Sequence, residues 1–432
     1  MTLTFSLLTK CQLAARLCSL LAAIVLLGVA LASCTSGSED ADGEGLETPT
    51  VGIIPTATTA PLPSPTPAIP DSGEGPIIVG GLMAQTGVMA RRDAPTLAAA
   101  QVQVDRINEA GGLLGRTVEL VEIDTASRLG TTHDGVAELI RKGADLLLVS
   151  CDPARSEPAV QRAEEVGIVT MSPCGADEAW LNESPVAFSL SASDLHEGRV
   201  LARWAIDNAY VSTVALLDKT NPDVERFCGA FLEEYRSLGG QVLWEDAFTF
   251  DSLDPFEDRL AQRPTQMSSV LLCSHLPGGL NGAPKIIELV RARGIDVPIL
   301  ASSALDGGPT WFNIVNDLGT IVMVTPGSVH GDEPNPAVRE LIDEVNDGLD
   351  IPVARGWSIY GADAVQAWAL AVERSNSVDG GDVIAALESF RNQALLSGRV
   401  TFGPEVHMQP GRSLRVIQIA DGVASVVAVI DE

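Results

Sequence analysis

The residues from Lys142 to Ala176, KGADLLLVSCDPARSEPAVQRAEEVGIVTMSPCGA, leave few folds open to this chain. Ala144–Ser150 is a short apolar run around Leu146, Leu147, Leu148 and Val149, closed by Cys-Asp-Pro. Lacking polar alternation, it reads as a strand buried on both faces, as strands of parallel sheets are. Ser156 is expected to cap the next helix with its side-chain oxygen, with Glu157 and Pro158 in the first turn. Ala159, Ala163 and Val166 fall at i, i+4 and i+7, forming one core-facing stripe, and Gly167 ends the helix. Ile168–Ser172 is a second buried strand that stops at Pro173-Cys174-Gly175. In an open α/β sheet such loops stand side by side at the carboxyl ends of the strands, where ligands bind. Cys151–Ser156 and Pro173–Ala176 are therefore read as half of a ligand cleft.

The same alternation extends both ways. Pro76–Leu82 is a strand, the turn Met83–Gly87 follows, and a helix is expected from about Pro95 to Ala110 with the stripe Leu97, Ala100, Val104 and Ile107. Thr117–Asp124 and Thr131–Lys142 are the next strand and helix. A second series starts after Phe188-Ser189-Leu190: helix Asp194–Asn208, then strands near 213–217, 241–246, 268–273 and 297–301 separated by helices. Thr320–Thr325 is another crossing segment, followed by helices near 336–346, 361–374 and 382–392 and strand segments near 399–402, 414–419 and 424–429. This spacing implies right-handed βαβ crossovers and parallel-rich sheets in two lobes.

The first 75 residues carry no such pattern. Lys10 and Arg16 precede the apolar run Leu17–Ala32, which closes on Leu31-Ala32-Ser33-Cys34. A positive start, a short apolar stretch and small residues before the cut define a secretory signal peptide over residues 1–33. The Leu-Ala-Ser-Cys ending resembles the bacterial lipobox, which implies acylation of Cys34; an uncleaved membrane anchor would need about 20 apolar residues. Residues 34–75 are rich in Ser, Thr, Pro, Gly and acid and read as a disordered tether. With 57 acidic against 28 basic residues, the formal net charge of −29 disfavours nucleic-acid partners. Cys151, Cys174, Cys228 and Cys273 remain in the body. Outside the cytoplasm an even count invites disulfides, while four buried free thiols are the alternative.

The body from about Pro76 onward resembles the branched-chain amino-acid class of extracytoplasmic solute-binding proteins for ABC transporters, of the type I periplasmic binding fold. The residues that carry the resemblance are Ile77–Gly87 (IIVGGLMAQTG), Ala110–Asp124 (AGGLLGRTVELVEID) and the strand-loop-helix around Ser150–Ala163. Ile168–Pro173, the Ser193, Asp194 and Gly198 pattern, and Leu238-Gly239-Gly240 complete the set. The resemblance implies two Rossmann-like lobes, 76–190 plus 326–398 and 191–322 plus 403–432, joined by three crossing strands near Ser189, Met323 and Thr401. It further implies hinge closure over a small polar solute (amino acid, amide or small carboxylate) and delivery to ABC permease subunits in the membrane. A sensory module signalling to a membrane partner is the alternative.

Carried over position by position, the resemblance puts Gln85, Thr86, Arg92, Asp152, Arg155, Ser156, Cys174, Gly175, Asn221, Asp306, Trp357 and Tyr360 at the ligand. The family's serine and threonine fall here at about Pro153 and Ala176, and an aromatic position falls near Arg92. Arg91, Arg92 and Arg155 are expected on one rim, where guanidinium forks suit a carboxylate or phosphate; the alternative is pairing with Asp93 and Asp152. Asp306 is the acid expected to meet an ammonium. Trp357 and Tyr360 either pack on the ligand or belong to the core. No catalytic, cofactor or metal pattern stands beside these: the G-W-S-I-Y-G stretch is one residue too long for a nucleophile elbow. Gly80-Gly81 with Thr86-Gly87 has the spacing of neither a dinucleotide fingerprint nor a P-loop, and the five histidines are scattered.

Overall fold

The computed structural model describes residues 75–175, 177–219, 222–249, 252–275, 282–306, 312, 315, 317–348, 355–409 and 411–431. Cys34, its flanking segments and Asn221 lie outside them. The strands of the first series, β1 (Ile77–Met83), β2 (Val118–Asp124), β3 (Ala144–Val149), β4 (Val169–Met171) and β5 (Ala187–Phe188), form a parallel sheet in the order β2-β1-β3-β4-β5. Leu146, Leu147, Leu148 and Val149 of β3 are all essentially inaccessible, as a central strand covered on both faces must be. Helices α1 (Ala90–Glu109), α2 (Leu129–Arg141), α3 (Pro153–Val166) and the short α4 (Glu178–Glu183) complete the crossovers.

After β5 the chain crosses to a second sheet. Helices α5 (Asp194–Asp207), α6 (Pro222–Ser237), α7 (Asp254–Leu260) and α8 (Ala283–Ala292) alternate with β6 (Ser212–Asp218), β7 (Gln241–Phe248), β8 (Ser269–Cys273), β9 (Ile299–Ala301) and β10 (Ile321–Thr325). The chain returns through 326–335 to α9 (Pro336–Gly348), which packs on α1, and to α10 (Ile359–Ser375) and α11 (Gly380–Glu388), which share the core of the first sheet. The hairpin β11 (Gln393–Leu395) and β12 (Gly398–Val400) precedes a third crossing to β13 (Leu414–Ala420) and β14 (Val423–Ile430). These two strands are antiparallel and close one side of the seven-stranded sheet β14-β13-β10-β9-β8-β6-β7. The fold is two parallel-rich α/β lobes joined by three passages.

Two helix starts differ from the expectation. The side chain of Asp152, not that of Ser156, caps α3 by accepting from Arg155 N–H at 3.3 Å. Pro153 takes the favoured first position, and the Ser156 hydroxyl is buried, donating back to the Asp152 carbonyl at 3.0 Å. Gly167 does end α3, in the left-handed conformation (φ 73°) that favours glycine. Helix α1 starts at Ala90 rather than Pro95, so Pro95 lies inside it and Arg91 and Arg92 ride on its first turn. Asp93, on the same turn and fully buried, accepts from Ala84 N–H (3.0 Å) and Cys151 N–H (3.4 Å), tying the ends of β1 and β3 together.

Candidate functional site

The carboxyl ends of the parallel strands of both sheets border one cleft of about 300 Å³. The first lobe contributes Arg91 and Arg92 from α1 and Cys151–Pro153 from the turn after β3; the second contributes Glu197, Arg226, His275 and Ser303. Arg355 and Trp357 enter from the segment leading into α10. Close helix packing sets this geometry. A methyl group at Gly361 would run into the Thr96 carbonyl, so α10 lies directly on α1 and holds Trp357 beside Arg92. A methyl at Gly198 would meet the Phe227 carbonyl and Phe231 N, so α5 lies directly on α6.

Trp357, only 6% exposed, has two guanidiniums over its ring: Arg92 Cζ at 4.9 Å and Arg355 Cζ at 4.6 Å from the centroid. Such pairs are attractive through the ring quadrupole. Arg92 also donates Nη2–H to the Cys174 carbonyl at 3.2 Å. Among the described residues, neither Arg91, Arg92 nor Arg355 has a carboxylate within salt-bridge distance. Burial pulls the Arg355 guanidinium down to about 10, helped by repulsion from Arg92 and Arg91 and opposed by Asp306; it stays charged at neutral pH.

The acids around the cleft are engaged. Asp152 pairs with Arg155, and Arg226 bridges Asp194 (2.9 Å) and Asp177 (3.7 Å). Glu197 is 5% exposed and accepts from Ser303 Oγ–H at 3.0 Å and Ser303 N–H at 3.4 Å. Its position on the first turn of α5 favours the anion, but burial outweighs that and, with the charge of Asp194, pushes the carboxyl up to about 8.

Of the residues carried over by resemblance, Arg92, Asp152 and Trp357 line this cleft. Cys174 and Gly175 lie just beneath it; Cys174 is disulfide-bonded to Cys151, and Gly175 accepts from Ser189 Oγ–H at 2.8 Å. Cys228 and Cys273 form a second disulfide, joining α6 to the end of β8. The other six described residues are elsewhere. Gln85 and Thr86 bond Glu122 and Asp124 at the exposed outer side of the first turn. Arg155 turns to Asp152 and the Ser127 carbonyl, the alternative weighed for it above. Ser156 belongs to the α3 backbone. Tyr360 is core, its hydroxyl accepting from Ala192 N–H at 3.2 Å. Asp306 is buried away from the cleft, accepting from Gly356 N–H (2.7 Å) and Thr325 Oγ–H (3.1 Å), so it supports the Arg355–Trp357 segment from behind. Sequence reasoning missed Arg226, Arg355, Glu197 and Ser303. Glu197 sits inside the Ser193 to Gly198 pattern and Arg355 two residues before Trp357, but neither spacing reveals which lobe faces them.

A family model described as a periplasmic binding protein matches residues 76–424. Among solved structures, a leucine-binding protein from Thermotoga maritima superposes with a TM-score of 0.66 at 19% identity, covering 82% of this chain and 99% of that one. A putative branched-chain amino acid ABC transporter protein from Rhodospirillum rubrum gives 0.67 at 21% identity, with 82% and 100% covered. A solute-binding protein of an ABC transporter from R. palustris, solved with benzoate, gives 0.64 at 20% identity, with 83% and 98% covered. At these identities the likeness is one of fold. No curated protein matches the sequence.

Proposed function

The chain belongs to the periplasmic binding protein family, and from that premise we propose that it captures a small carboxylate between its lobes and delivers it to an ABC importer. The observation that carries the reading is the pairing of Arg92 and Arg355 on Trp357, with Arg91 on the same cleft lining, all three without carboxylate partners among the described residues, in a cleft bordered by both lobes. A chain of net charge −29 would repel anions at long range, but surface charges beyond a Debye length of about 8 Å are screened. A guanidinium about 4 Å from a carboxylate contributes on the order of 4 kcal/mol of gross attraction at an effective dielectric of about 20. The local arginines therefore decide the sign. The R. palustris relatives solved with benzoate and with 4-hydroxybenzoate are consistent with a carboxylate ligand.

Export and anchoring at Cys34 complete the proposal. Its support is the Leu17–Ala32 run with the Leu-Ala-Ser-Cys ending, and two disulfides fit an oxidising compartment. Metabolic labelling with a fatty acid, lost in Cys34→Ala, tests the anchor. The binding reading is tested by a thermal-shift panel of carboxylates, neutral amides and amines. A carboxylate at about a hundred times its Kd adds about 2.7 kcal/mol. Arg92→Gln is expected to weaken that ligand about 10- to 100-fold, or roughly 1.4–2.8 kcal/mol. Shifts from amines alone, or an Arg92→Gln variant with undiminished carboxylate affinity, overturn the reading.

A further inference from the structure

We infer that the cleft selects carboxylates that lack an α-ammonium group, and that Glu197 is the residue that sets this selection. The inference rests on the carboxylate reading above and goes further, because it follows from what each cleft acid is already doing. An amino acid brings one anion and one cation, and the cation needs a carboxylate that is both ionised and unengaged. Asp152 is taken by Arg155, and Asp177 and Asp194 by Arg226. Asp306, where the family resemblance put the ammonium partner, is buried behind Gly356 and does not border the cleft. Among the described acids that line the cleft, this leaves Glu197, which has no cation within salt-bridge distance and accepts only from Ser303.

Glu197 projects from the first turn of α5 into the cleft, nearly inaccessible and held by Ser303 from the turn after β9. The charged and titratable groups around it come from several elements: Arg92 from α1, Asp194 on its own helix, Tyr360 from α10, Arg226 from α6 through Asp194, and Arg355 and His275 across the same cleft. Burial and the neighbouring Asp194 keep its proton on until about pH 8. At neutral pH the cleft thus holds three guanidiniums without a carboxylate partner among the described residues and the neutral carboxyl of Glu197, while Asp177 and Asp194 are neutralised by Arg226 and Asp152 by Arg155. That arrangement accepts a carboxylate and repels an ammonium. Above pH 8 an ionised Glu197 would compete with the ligand for Arg92 and offer an ammonium its missing partner.

The test uses pairs differing only in the amino group: 4-methylpentanoate against leucine, and 3-phenylpropanoate against phenylalanine, titrated calorimetrically into the intact protein at pH 7 and pH 9. At pH 7 the amino-free member of a pair is expected to bind at least tenfold tighter. Neutral Glu197 falls from about nine-tenths to about one-tenth of the population over this interval, so that advantage should shrink about tenfold. Glu197→Gln should lose the pH dependence. Amino acids binding as well as, or better than, their amino-free partners at pH 7 overturn the inference while leaving carboxylate capture standing. A pH-independent advantage in the natural protein, which needs no variant to fold, or an unchanged slope in Glu197→Gln, removes Glu197 from the role. If none of the four, nor benzoate, binds while amines do, the carboxylate reading itself fails and takes this inference with it.

Discussion

Replacing Cys151 and Cys174 by alanine should cost the protein both stability and ligand affinity, for separable reasons. The disulfide joins the turns after β3 and β4 across a separation of 23 residues. The loop-closure relation then gives about 3.4 kcal/mol of stabilisation through the unfolded chain. Spread over a body of roughly 350 residues at about 2.1 cal/mol/K each, this corresponds to a fall of about 5 °C in Tm. Affinity should fall too, because the Cys174 carbonyl that accepts from Arg92 is held in place by this staple. The second disulfide, Cys228–Cys273, closes 45 residues and is worth about 4 kcal/mol by the same relation, but neither cysteine borders the cleft. Removing it should lower Tm comparably without the loss of affinity. Calorimetric melts of the three proteins, with titration of the best carboxylate from the panel, check both halves. A non-reducing peptide map with Cys151 and Cys174 unlinked, or melts that coincide with the natural protein's, would refute the reasoning.

Two further outcomes follow from buried charge. Asp363→Ala leaves Arg412, whose side chain is 1% exposed and whose Nη2 lies 3.0 Å from the Asp363 carboxylate, with an uncompensated charge. A loss of about 3–5 kcal/mol is expected in urea denaturation; a change within the error of the midpoint would contradict it. Glu197→Gln should act in the opposite direction on the unliganded protein. Because burial raises the folded carboxyl from 4.5 to about 8, the folded state keeps a proton that the unfolded chain releases between those pH values. Stability contributed by that proton is complete below about pH 4.5, declines as pH rises to about 8, and is flat above. Gln removes the decline, so at pH 9 the variant should be more stable by up to about 5 kcal/mol, with little difference at pH 4; equal guanidinium midpoints at pH 9 would be evidence against the shift.

The architecture was legible in the sequence because buried parallel strands leave a blunt signal. The runs at 77–83, 144–149 and 269–273 have no polar alternation to confuse, and glycines such as Gly167 mark real ends. Helix starts were less legible. Ser156 and Asp152 both offer capping oxygens, and Pro153 at the first position decides for Asp152. Pro95 looked like a first-turn residue, yet the helix begins five residues earlier. The site was legible only in part. Arg92 and Trp357 could be placed because each lies beside a strand end or helix start, where function collects. Arg355 and Glu197 gain their meaning from a neighbour hundreds of residues away or in the other lobe, and no local spacing encodes that. Tyr360 illustrates the converse: three residues after Trp357, in the first turn of α10, it points into the core instead of the cleft.

A crystal structure of the protein with the tightest carboxylate from the panel shows directly whether the arginines hold the ligand. Density is expected between the two lobes, with the carboxylate bonded to Arg92 or Arg355 and no acid facing an amino group. Density outside that cleft, or a ligand bound there with its carboxylate turned away from both arginines, would contradict capture by these arginines.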